Sequence, residues 1–143
     1  MPGDFVFKVL NAAHHGLMKV SGGRVGWKAA KMPVVELTTT GRKSGLPRTV
    51  LLTSPVQEGA TVVLVASRWG DDHHPAWFVN LRDNAEVRVS MKGSRDQRMH
   101  ARIATPDERA RLWPKAVARY PRYADYQKKT EREIPLVLLE PAE

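Results

Sequence analysis

Residues 33–54 read PVVELTTTGRKSGLPRTVLLTS. Two runs rich in β-branched side chains, 33–40 and 46–54, flank a polar loop at 41–45 that has a glycine at each end. Side chains of this kind favour extended backbone, and a short glycine-bounded loop between two such runs is typical of a hairpin. We therefore predict two antiparallel strands joined by a basic turn.

Other segments predict a sheet around this hairpin. The apolar run 61–67 indicates a buried strand, the segment 55–60 before it indicates a turn, and alternation on both sides of 93–94 indicates a second hairpin. A last strand is expected at 134–140. About six short strands with helices between them predict a mainly-β or α+β fold, and the lack of regular βαβ alternation argues against a doubly wound parallel sheet.

Helix signals lie between and after these strands. A short helix is expected to begin at Pro75 and to end at Asn84. Thr105 and Glu108 have the spacing of a capping box, which predicts that a second helix begins there. Because proline lacks the N–H that a helix interior needs, Pro114 predicts a kink or a restart of that helix.

The N-terminal segment predicts a helix with two interpretations. Apolar side chains at positions 6, 10, 13 and 17 follow a helical period within 4–20, and basic residues surround this segment. Residues 4–31 can therefore contact an anionic membrane surface, or the helix can dock on its own domain. Both interpretations stay open at this point.

Composition narrows the class of protein. The chain has 143 residues, a formal net charge of +8 and no cysteine, so disulfides, thiolate metal sites and cysteine nucleophiles are excluded. No apolar run approaches the roughly 18 residues of a spanning helix, and the N-terminus lacks the pattern of a secretory signal. We therefore expect a cytoplasmic protein, with the inner face of the cell membrane as the alternative that a basic N-terminal helix implies.

The common catalytic and metal motifs are missing. There is no glycine-rich nucleotide loop of either usual kind and no nucleophile elbow of the α/β-hydrolase type. The histidines occur as two adjacent pairs and one isolated residue, His100, so no metal-ligand spacing arises. The function must therefore be sought in less common groupings.

The basic turn is the first of these groupings. Residues 1–48 contain eight basic and only two acidic residues, and three of the bases are Arg42, Lys43 and Arg48. These cations, with Ser44 and the amides that glycine leaves accessible, can form a phosphate cradle. A basic hairpin tip that only keeps the sheet edge soluble is the alternative.

Two further groupings carry hydroxyl and aromatic side chains. Tyr120, Tyr123 and Tyr126 are all of the tyrosines in the chain. Such phenols can line an apolar pocket and donate a hydrogen bond or a proton, and a core-facing aromatic stripe is the alternative. Ser67 and Arg68 lie where a buried strand enters a glycine-containing loop, which is a common position for ligand contacts.

These groupings, in this order, resemble the deazaflavin-dependent nitroreductase family. The matching segments are VVELTTTGRKSGLPR (34–48), VVLVASRWG with HPAWFVNL (62–81) and WPKAVARYPRYADYQKKTEREIPLVLLEP (113–141). The combination of Gly-Arg-Lys-Ser-Gly-x-Pro-Arg with Tyr-Pro-x-Tyr-x-x-Tyr is specific. The resemblance covers about residues 30–141.

The resemblance implies a fold, a coenzyme and a reaction. It implies a split β-barrel with peripheral helices and a single domain over 1–143, in which 1–31 is a helical segment and 32–143 is the barrel that binds the deazaflavin. The coenzyme is coenzyme F420, an 8-hydroxy-5-deazaflavin, and the reaction is hydride transfer from its reduced form to quinones or nitroaromatic compounds. Some members of the family associate with membranes to reach menaquinone.

The resemblance also implies roles for individual residues. Those matching the positions that hold the phosphate and acidic tail of the coenzyme are Arg42, Lys43, Ser44 and Arg48. Those beside its ring are Ser67 and Arg68, and those around the substrate are Trp77, Tyr120, Tyr123 and Tyr126. The expected catalytic groups, which can hydrogen-bond the negative charge that develops on the acceptor, are Tyr120, Tyr123 and Ser67.

Three other classes of protein stay open. A basic β-barrel that binds nucleic acid suits the charge, although the aromatic residues lie in predicted loops and helices rather than on a strand face. The other two are a split barrel that uses ordinary flavin mononucleotide and a carrier that binds the deazaflavin or another anionic ligand without turnover. Binding of these ligands to the purified protein would separate the classes.

Overall fold

A computed structural model describes residues 28–29 and 32–142 of the chain, with side chains from Met32 onward. The helix predicted at 4–20 lies outside the described residues. The described part consists of eight strands in one antiparallel sheet and three α-helices.

The bounds of these elements follow the predicted order. The strands are β1 (Lys28–Ala29), β2 (Met32–Thr40), β3 (Pro47–Thr53), β4 (Val56–Glu58), β5 (Thr61–Val65), β6 (Glu86–Met91), β7 (Ser94–Ile103) and β8 (Leu136–Pro141). The helices are α1 (Ala76–Asp83), α2 (Pro106–Arg119) and α3 (Arg122–Lys128). Six of these strands have five or more residues, as expected, and the other two are shorter.

The sheet curls because of its strand order. The order is β1-β2-β6-β7-β8-β5-β4, and β3 is also paired with β2. β3 and β4 therefore lie at opposite edges, yet only Ser54 and Pro55 separate them in the chain. The buried Ser54 holds this corner: its Oγ donates to the Val63 carbonyl oxygen at 2.6 Å, and its N–H donates to the Pro33 carbonyl oxygen at 3.0 Å. The sheet bends back on itself into the expected split barrel and stays open between β3 and β4.

Two apolar clusters form the core, and β5 contributes to both. Val62 and Leu64 belong to the first cluster, which also includes the apolar side chains of α1. Val63 and Val65 belong to the second, which includes the buried side chains of α2 and Tyr123 of α3. Successive side chains of a strand point to opposite faces, so the structure confirms the prediction of a strand that is buried on both sides.

The predicted helix signals are largely confirmed. Thr105 Oγ1 accepts from the Glu108 N–H at 3.3 Å, and Glu108 Oε1 accepts from the Thr105 N–H at 2.9 Å, which completes the capping box of α2. α1 runs from Ala76 to Asp83, with Pro75 and Asn84 as its N-cap and C-cap residues. None of the described helices is long and apolar enough to cross a membrane.

Two local predictions are wrong in part: the turn predicted over 55–60 is confined to 59–60, and the restart predicted at Pro114 does not occur. The segment 55–60, expected as a turn, contains β4, because the buried Val56 pairs with Val63. α2 continues through Pro114 without a restart. Leu112 and Ala116, on either side of the proline, are both fully buried. Burial of a leucine side chain contributes about 1.5–3 kcal/mol, which offsets much of the roughly 3 kcal/mol that an interior proline costs.

Candidate functional site

The turn between β2 and β3 is compact and presents cations to solvent. The Gly41 N–H donates to the Leu46 carbonyl oxygen and the Gly45 N–H donates to the Gly41 carbonyl oxygen, both at 2.8 Å. Gly45 has a φ of +71°, a conformation that favours glycine. The residues predicted for the phosphate cradle are all exposed, and they are Arg42, Lys43, Ser44 and Arg48.

The three cations of this turn lie within seven residues of the chain. Arg48 is paired with Thr39 in the hairpin, and its Nε lies 3.5 Å from the position that a Cβ on Gly41 would occupy. Among the described residues, none of Arg42, Lys43 and Arg48 forms an ion pair with a carboxylate. A group of cations without a nearby counter-charge suits an anionic ligand.

Asn80 fastens the basic turn to α1. Its side-chain Oδ1 accepts from the Arg42 N–H at 3.2 Å and from Arg42 Nη1 at 3.1 Å. Its Nδ2 donates to Thr39 Oγ1 at 3.2 Å, and the residue is only 5% exposed. Sequence reasoning missed Asn80. The available signal was a polar residue within the apolar pattern of α1, because it needs a partner when it is buried.

The chain after β5 makes a left-handed turn at 67–70. The φ angles are +43° at Arg68, +57° at Trp69 and +82° at Gly70. A Cβ on Gly70 would lie 2.7 Å from the Tyr126 carbonyl oxygen and 2.9 Å from the Tyr126 Cα. Only glycine fits this close approach, so the structure brings Ser67 and Arg68 next to the helix that carries the tyrosines.

Arg132 organises the loop that follows this turn. Its Nη2 donates to the Ser67 carbonyl oxygen at 2.9 Å, its Nη1 to the Ala66 carbonyl oxygen at 3.3 Å and its Nε to the Asp71 carbonyl oxygen at 2.8 Å. Nη1 also lies 3.2 Å from His74 Nδ1, which must be the acceptor because a guanidinium has only donors. Sequence reasoning missed Arg132, because contacts with so distant a segment leave no local pattern.

His74 is held in its neutral form by this arrangement. Burial, followed by the charges of Arg132 and Arg82, lowers the pKa of His74 below its usual value of 6.5. A neutral imidazole can accept the hydrogen bond from Arg132, whereas a protonated one cannot. The ring of His74 also packs on Phe78 of α1, with 4.7 Å between the ring centroids.

The three predicted tyrosines pack against one another. The ring centroids of Tyr120 and Tyr123 are 4.9 Å apart and those of Tyr123 and Tyr126 are 6.3 Å apart, both edge-to-face. Tyr123 is only 5% exposed, and its hydroxyl lies 4.0 Å from Met32 Sδ. Burial raises the pKa of Tyr123 to about 12, against the opposing effect of a hydrogen bond with Thr53. Burial and then the Tyr120 hydroxyl raise the pKa of Tyr126.

Trp77 lies apart from the tyrosines in the core. It is 7% exposed and belongs to the first apolar cluster, with its ring 6.4 Å from that of Phe78. The tyrosines pack in the second cluster. The structure therefore packs the 67–70 turn on α3 through the approach of Gly70 to Tyr126 and places Trp77 separately. No group of three or more histidine or acidic side chains between residues 32 and 142 is placed to hold a metal ion.

The chain matches a known protein family over most of its length. Residues 11–141 match the model of the family described as F420H(2)-dependent quinone reductase. The chain belongs to this family. It is therefore an oxidoreductase that uses the deazaflavin coenzyme F420, as the resemblance implies. The nucleic-acid, flavin mononucleotide and non-catalytic alternatives are not favoured.

Individual relatives match three quarters of the chain or more. The F420H(2)-dependent quinone reductase Rv1261c of Mycobacterium tuberculosis (strain H37Rv) is 34% identical over 130 residues, which are 88% of this chain and 86% of that protein. A solved F420-H2 dependent reductase (FDR-A) is 40% identical with a TM-score of 0.64, over 76% of this chain and 94% of its own. A solved domain-swapped dimer is 35% identical with a TM-score of 0.67, over 98% and 100% of the two chains.

The donor set of the site fits the coenzyme of this family. The basic turn offers exposed guanidinium and ammonium groups to an anionic tail. The 67–70 turn packs on α3 beside the aromatic cluster of tyrosines, and such a cluster suits a flat ring system. α1 connects the two regions, since His74 packs on its first turn and Asn80 on its second turn holds Arg42.

Proposed function

We propose that this member of the family reduces quinones with the reduced deazaflavin coenzyme, bound between the basic turn and the tyrosine helix α3. The observation that carries the proposal is the packing of the 67–70 turn directly on α3, where the Gly70 backbone approaches Tyr126 so closely that no Cβ fits. Residues expected beside the coenzyme ring therefore adjoin residues expected around the acceptor.

In this proposal the basic turn holds the anionic tail of the coenzyme. Arg42 is oriented by Asn80, while Lys43 contributes a mobile point charge at the tip of the turn. α1 lies between the basic turn and the 67–70 loop, because Asn80 contacts Arg42 and Phe78 contacts His74. Binding energy gained at the tail then fixes the position of the ring near the acceptor.

The tyrosines are proposed to stabilise the product of hydride transfer. The bound reduced coenzyme supplies a hydride, a quinone that accepts it becomes a hydroquinone monoanion, and one proton completes the reduction. We propose that the hydroxyl groups of Tyr120, Tyr123 and Ser67 donate hydrogen bonds to the charged oxygen of this monoanion. Because the pKa of Tyr123 is about 12, its hydroxyl stays protonated at neutral pH and acts as a hydrogen-bond donor. Tyr126 is assigned to the wall of the substrate pocket, whereas Trp77, also expected there, packs in the first apolar cluster away from the tyrosines.

Two finer parts of the proposal concern the acceptor and its location. Nitroaromatic compounds also gain negative charge on oxygen when they accept a hydride, so we retain them as a second class of acceptor. The helix predicted at 4–20 is proposed to contact the inner face of the cell membrane, where apolar quinones dissolve. This helix lies outside the described residues, and its basic amphipathic sequence is what supports the assignment.

The proposal is tested by titration of the purified protein with coenzyme F420, followed by the fluorescence of the coenzyme. Flavin mononucleotide and an oligonucleotide serve as controls. Oxidation of the reduced coenzyme is then measured with a soluble quinone and with a nitroaromatic compound. We expect saturable binding of the deazaflavin alone and oxidation that depends on the quinone. Binding of flavin mononucleotide instead, or no oxidation with any quinone, would contradict the proposal.

A further inference from the structure

We propose that Arg132 is the positioning residue that holds the 67–70 turn in its coenzyme-binding conformation and links this turn to the tyrosine helix α3. The inference rests on the proposed function for what the turn binds. The support that Arg132 gives to the turn does not depend on the proposed function, because it follows from contacts between residues of this chain.

The 67–70 turn needs support from outside itself. Arg68 and Trp69 are consecutive non-glycine residues with positive φ, at +43° and +57°. Side chains in this region are strained, and the conformation persists only where the surrounding structure imposes it. The turn has two i→i+3 hydrogen bonds of its own, from the Gly70 N–H to the Ser67 carbonyl oxygen at 2.9 Å and from the Asp71 N–H to the Arg68 carbonyl oxygen at 3.0 Å. The Ser67 side chain makes no cap hydrogen bond.

Arg132 supplies that support with one side chain. Its guanidinium contacts the carbonyl oxygens of Ala66 and Ser67 at the start of the turn and that of Asp71 at its end. The planar fork of donors reaches these acceptors from one side and reaches His74 as well. A lysine ammonium carries a charge of the same sign but cannot reproduce the spacing of the fork.

The backbone of Arg132 is fixed to the tyrosine helix. Gln127 of α3 donates from Nε2 to the Arg132 carbonyl oxygen at 2.7 Å. The Arg132 N–H donates to Thr130 Oγ1 at 3.3 Å, and Thr130 is 8% exposed. Gln127 Oε1 also accepts from the Ile134 N–H at 2.9 Å. The side chain of Arg132 therefore ties the 67–70 turn to the same helix that carries Tyr123 and Tyr126.

This arrangement gives Arg132→Lys a specific set of expected effects. Amide hydrogen exchange in residues 66–74 should become faster in the protein without coenzyme, because the carbonyl contacts are lost. Coenzyme affinity should fall by about tenfold and kcat by up to about 100-fold, since a misplacement of reacting groups by about 1 Å has effects of that size. The KM for the quinone should change little, because the tyrosine helix keeps its own packing.

Arg111→Lys is the matched control. Arg111 makes an exposed ion pair with Glu58, with 2.7 Å between Nη1 and Oε2, and this pair does not involve the 67–70 turn. The control variant should leave exchange in 66–74, coenzyme affinity and turnover at wild-type values. If Arg132→Lys does not fold, His74→Ala removes one of the acceptors and should produce the same changes at smaller size.

The outcomes separate the inference from the function. Unchanged exchange in 66–74 in Arg132→Lys would overturn the inference, whatever the coenzyme does. Faster exchange with unchanged coenzyme binding and turnover would also overturn it, since the turn would then not be the coenzyme-binding element. If the wild-type protein does not bind the coenzyme, the proposed function fails, and the exchange measurement still decides whether Arg132 holds the turn.

Discussion

Tyr123 carries a hydroxyl that is buried beside Met32, with its ring enclosed between the rings of Tyr120 and Tyr126. Its high pKa suits a donor that remains protonated while negative charge develops nearby. Tyr120 is more exposed and lies at the end of α2. The two hydroxyls therefore differ in solvent access although the sequence pattern treats them alike.

Tyr120→Phe and Tyr123→Phe should each lower kcat by about 100-fold, the usual effect of losing one donor to a developing oxyanion. Coenzyme affinity should stay the same, because neither change removes a cation from the basic turn. Steady-state kinetics with a soluble quinone, together with coenzyme titration, would measure both quantities. Wild-type turnover in both variants would remove the tyrosines from the catalytic assignment.

The cations of the basic turn should respond differently to substitution. Lys43→Ala removes an exposed charge and should weaken coenzyme binding by about fivefold, equivalent to about 1 kcal/mol, with no change in stability. Arg42→Ala should weaken binding and also lower the free energy of unfolding by about 0.5–1.5 kcal/mol, because the buried Asn80 oxygen loses the guanidinium donor and keeps only the backbone N–H of residue 42.

Fluorescence titration at low and high salt and urea unfolding would separate these two effects. The loss of affinity in Lys43→Ala should diminish at high salt, because exposed charges are screened. If both variants bind the coenzyme as the wild type does, the phosphate cradle has been assigned to the wrong turn.

At the scale of elements, the contact between the 67–70 turn and α3 depends on one glycine. Gly70→Ala adds a Cβ 2.7 Å from the Tyr126 carbonyl oxygen and 3.1 Å from Lys129 Cβ, at a φ of +82°. We expect a loss of about 3 kcal/mol in the free energy of unfolding, of which about 1–2 kcal/mol comes from the positive φ. Urea unfolding monitored by circular dichroism would measure the loss.

Gly93→Ala is the matched control for this prediction. Gly93 has a φ of +84° in the hairpin between β6 and β7, and a Cβ added there would meet nothing within 4 Å. Gly93→Ala should therefore lose only the part of the free energy of unfolding that the positive φ costs, about 1–2 kcal/mol. Equal destabilisation in the two variants would mean that the approach of Gly70 to Tyr126 does not constrain the turn.

The continuous helix α2 shows why a local breaker signal failed. Pro114 lies eight residues after the helix begins at Pro106, where a missing N–H removes one interior hydrogen bond. Arg109 lies over the ring of Trp113 at 4.4 Å and donates to the Ile134 carbonyl oxygen. Packing of this kind comes from the rest of the barrel, so the residues around the proline could not indicate it.

At the scale of the whole molecule, acid should destabilise the protein through His74. Its folded-state pKa lies below the unfolded value of 6.5, so the unfolded state binds the proton more readily. The stability due to the neutral ring is therefore fully present above pH 6.5 and is lost as the pH falls from there towards the folded pKa. Titration of this one group cannot change the free energy of unfolding by more than about 1.4 kcal/mol per pH unit.

Urea unfolding at several pH values between 7 and 5 would measure this dependence in the wild type and in His74→Gln. Glutamine can accept the Arg132 hydrogen bond but does not titrate. The free energy of unfolding of the variant should therefore fall less steeply in this range. The same slope in both proteins would show that another group is responsible.

The fold and much of the site follow from local features of the sequence. The hairpin 33–54 was predicted from β-branched composition and a glycine-bounded turn, and the capping box of α2 from two residues three positions apart. Such features act over a few residues, where propensity and hydrogen-bonding chemistry decide the outcome. The short strand β4 was not predictable in this way, because it forms only where the chain turns the corner at Ser54 and finds β5 as a partner.

By itself, the sequence determined the basic turn, the tyrosine series and the family, since these depend on which residue types occur at short, regular spacings. Only the tertiary structure decided that Asn80 holds Arg42, that Gly70 meets Tyr126 and that Arg132 supports the 67–70 turn. These contacts join segments that are far apart in the chain, and their geometry is set by how the sheet curls and how the helices pack on it. Buried polar groups must find partners wherever the fold brings them, and no local pattern specifies which partners those are.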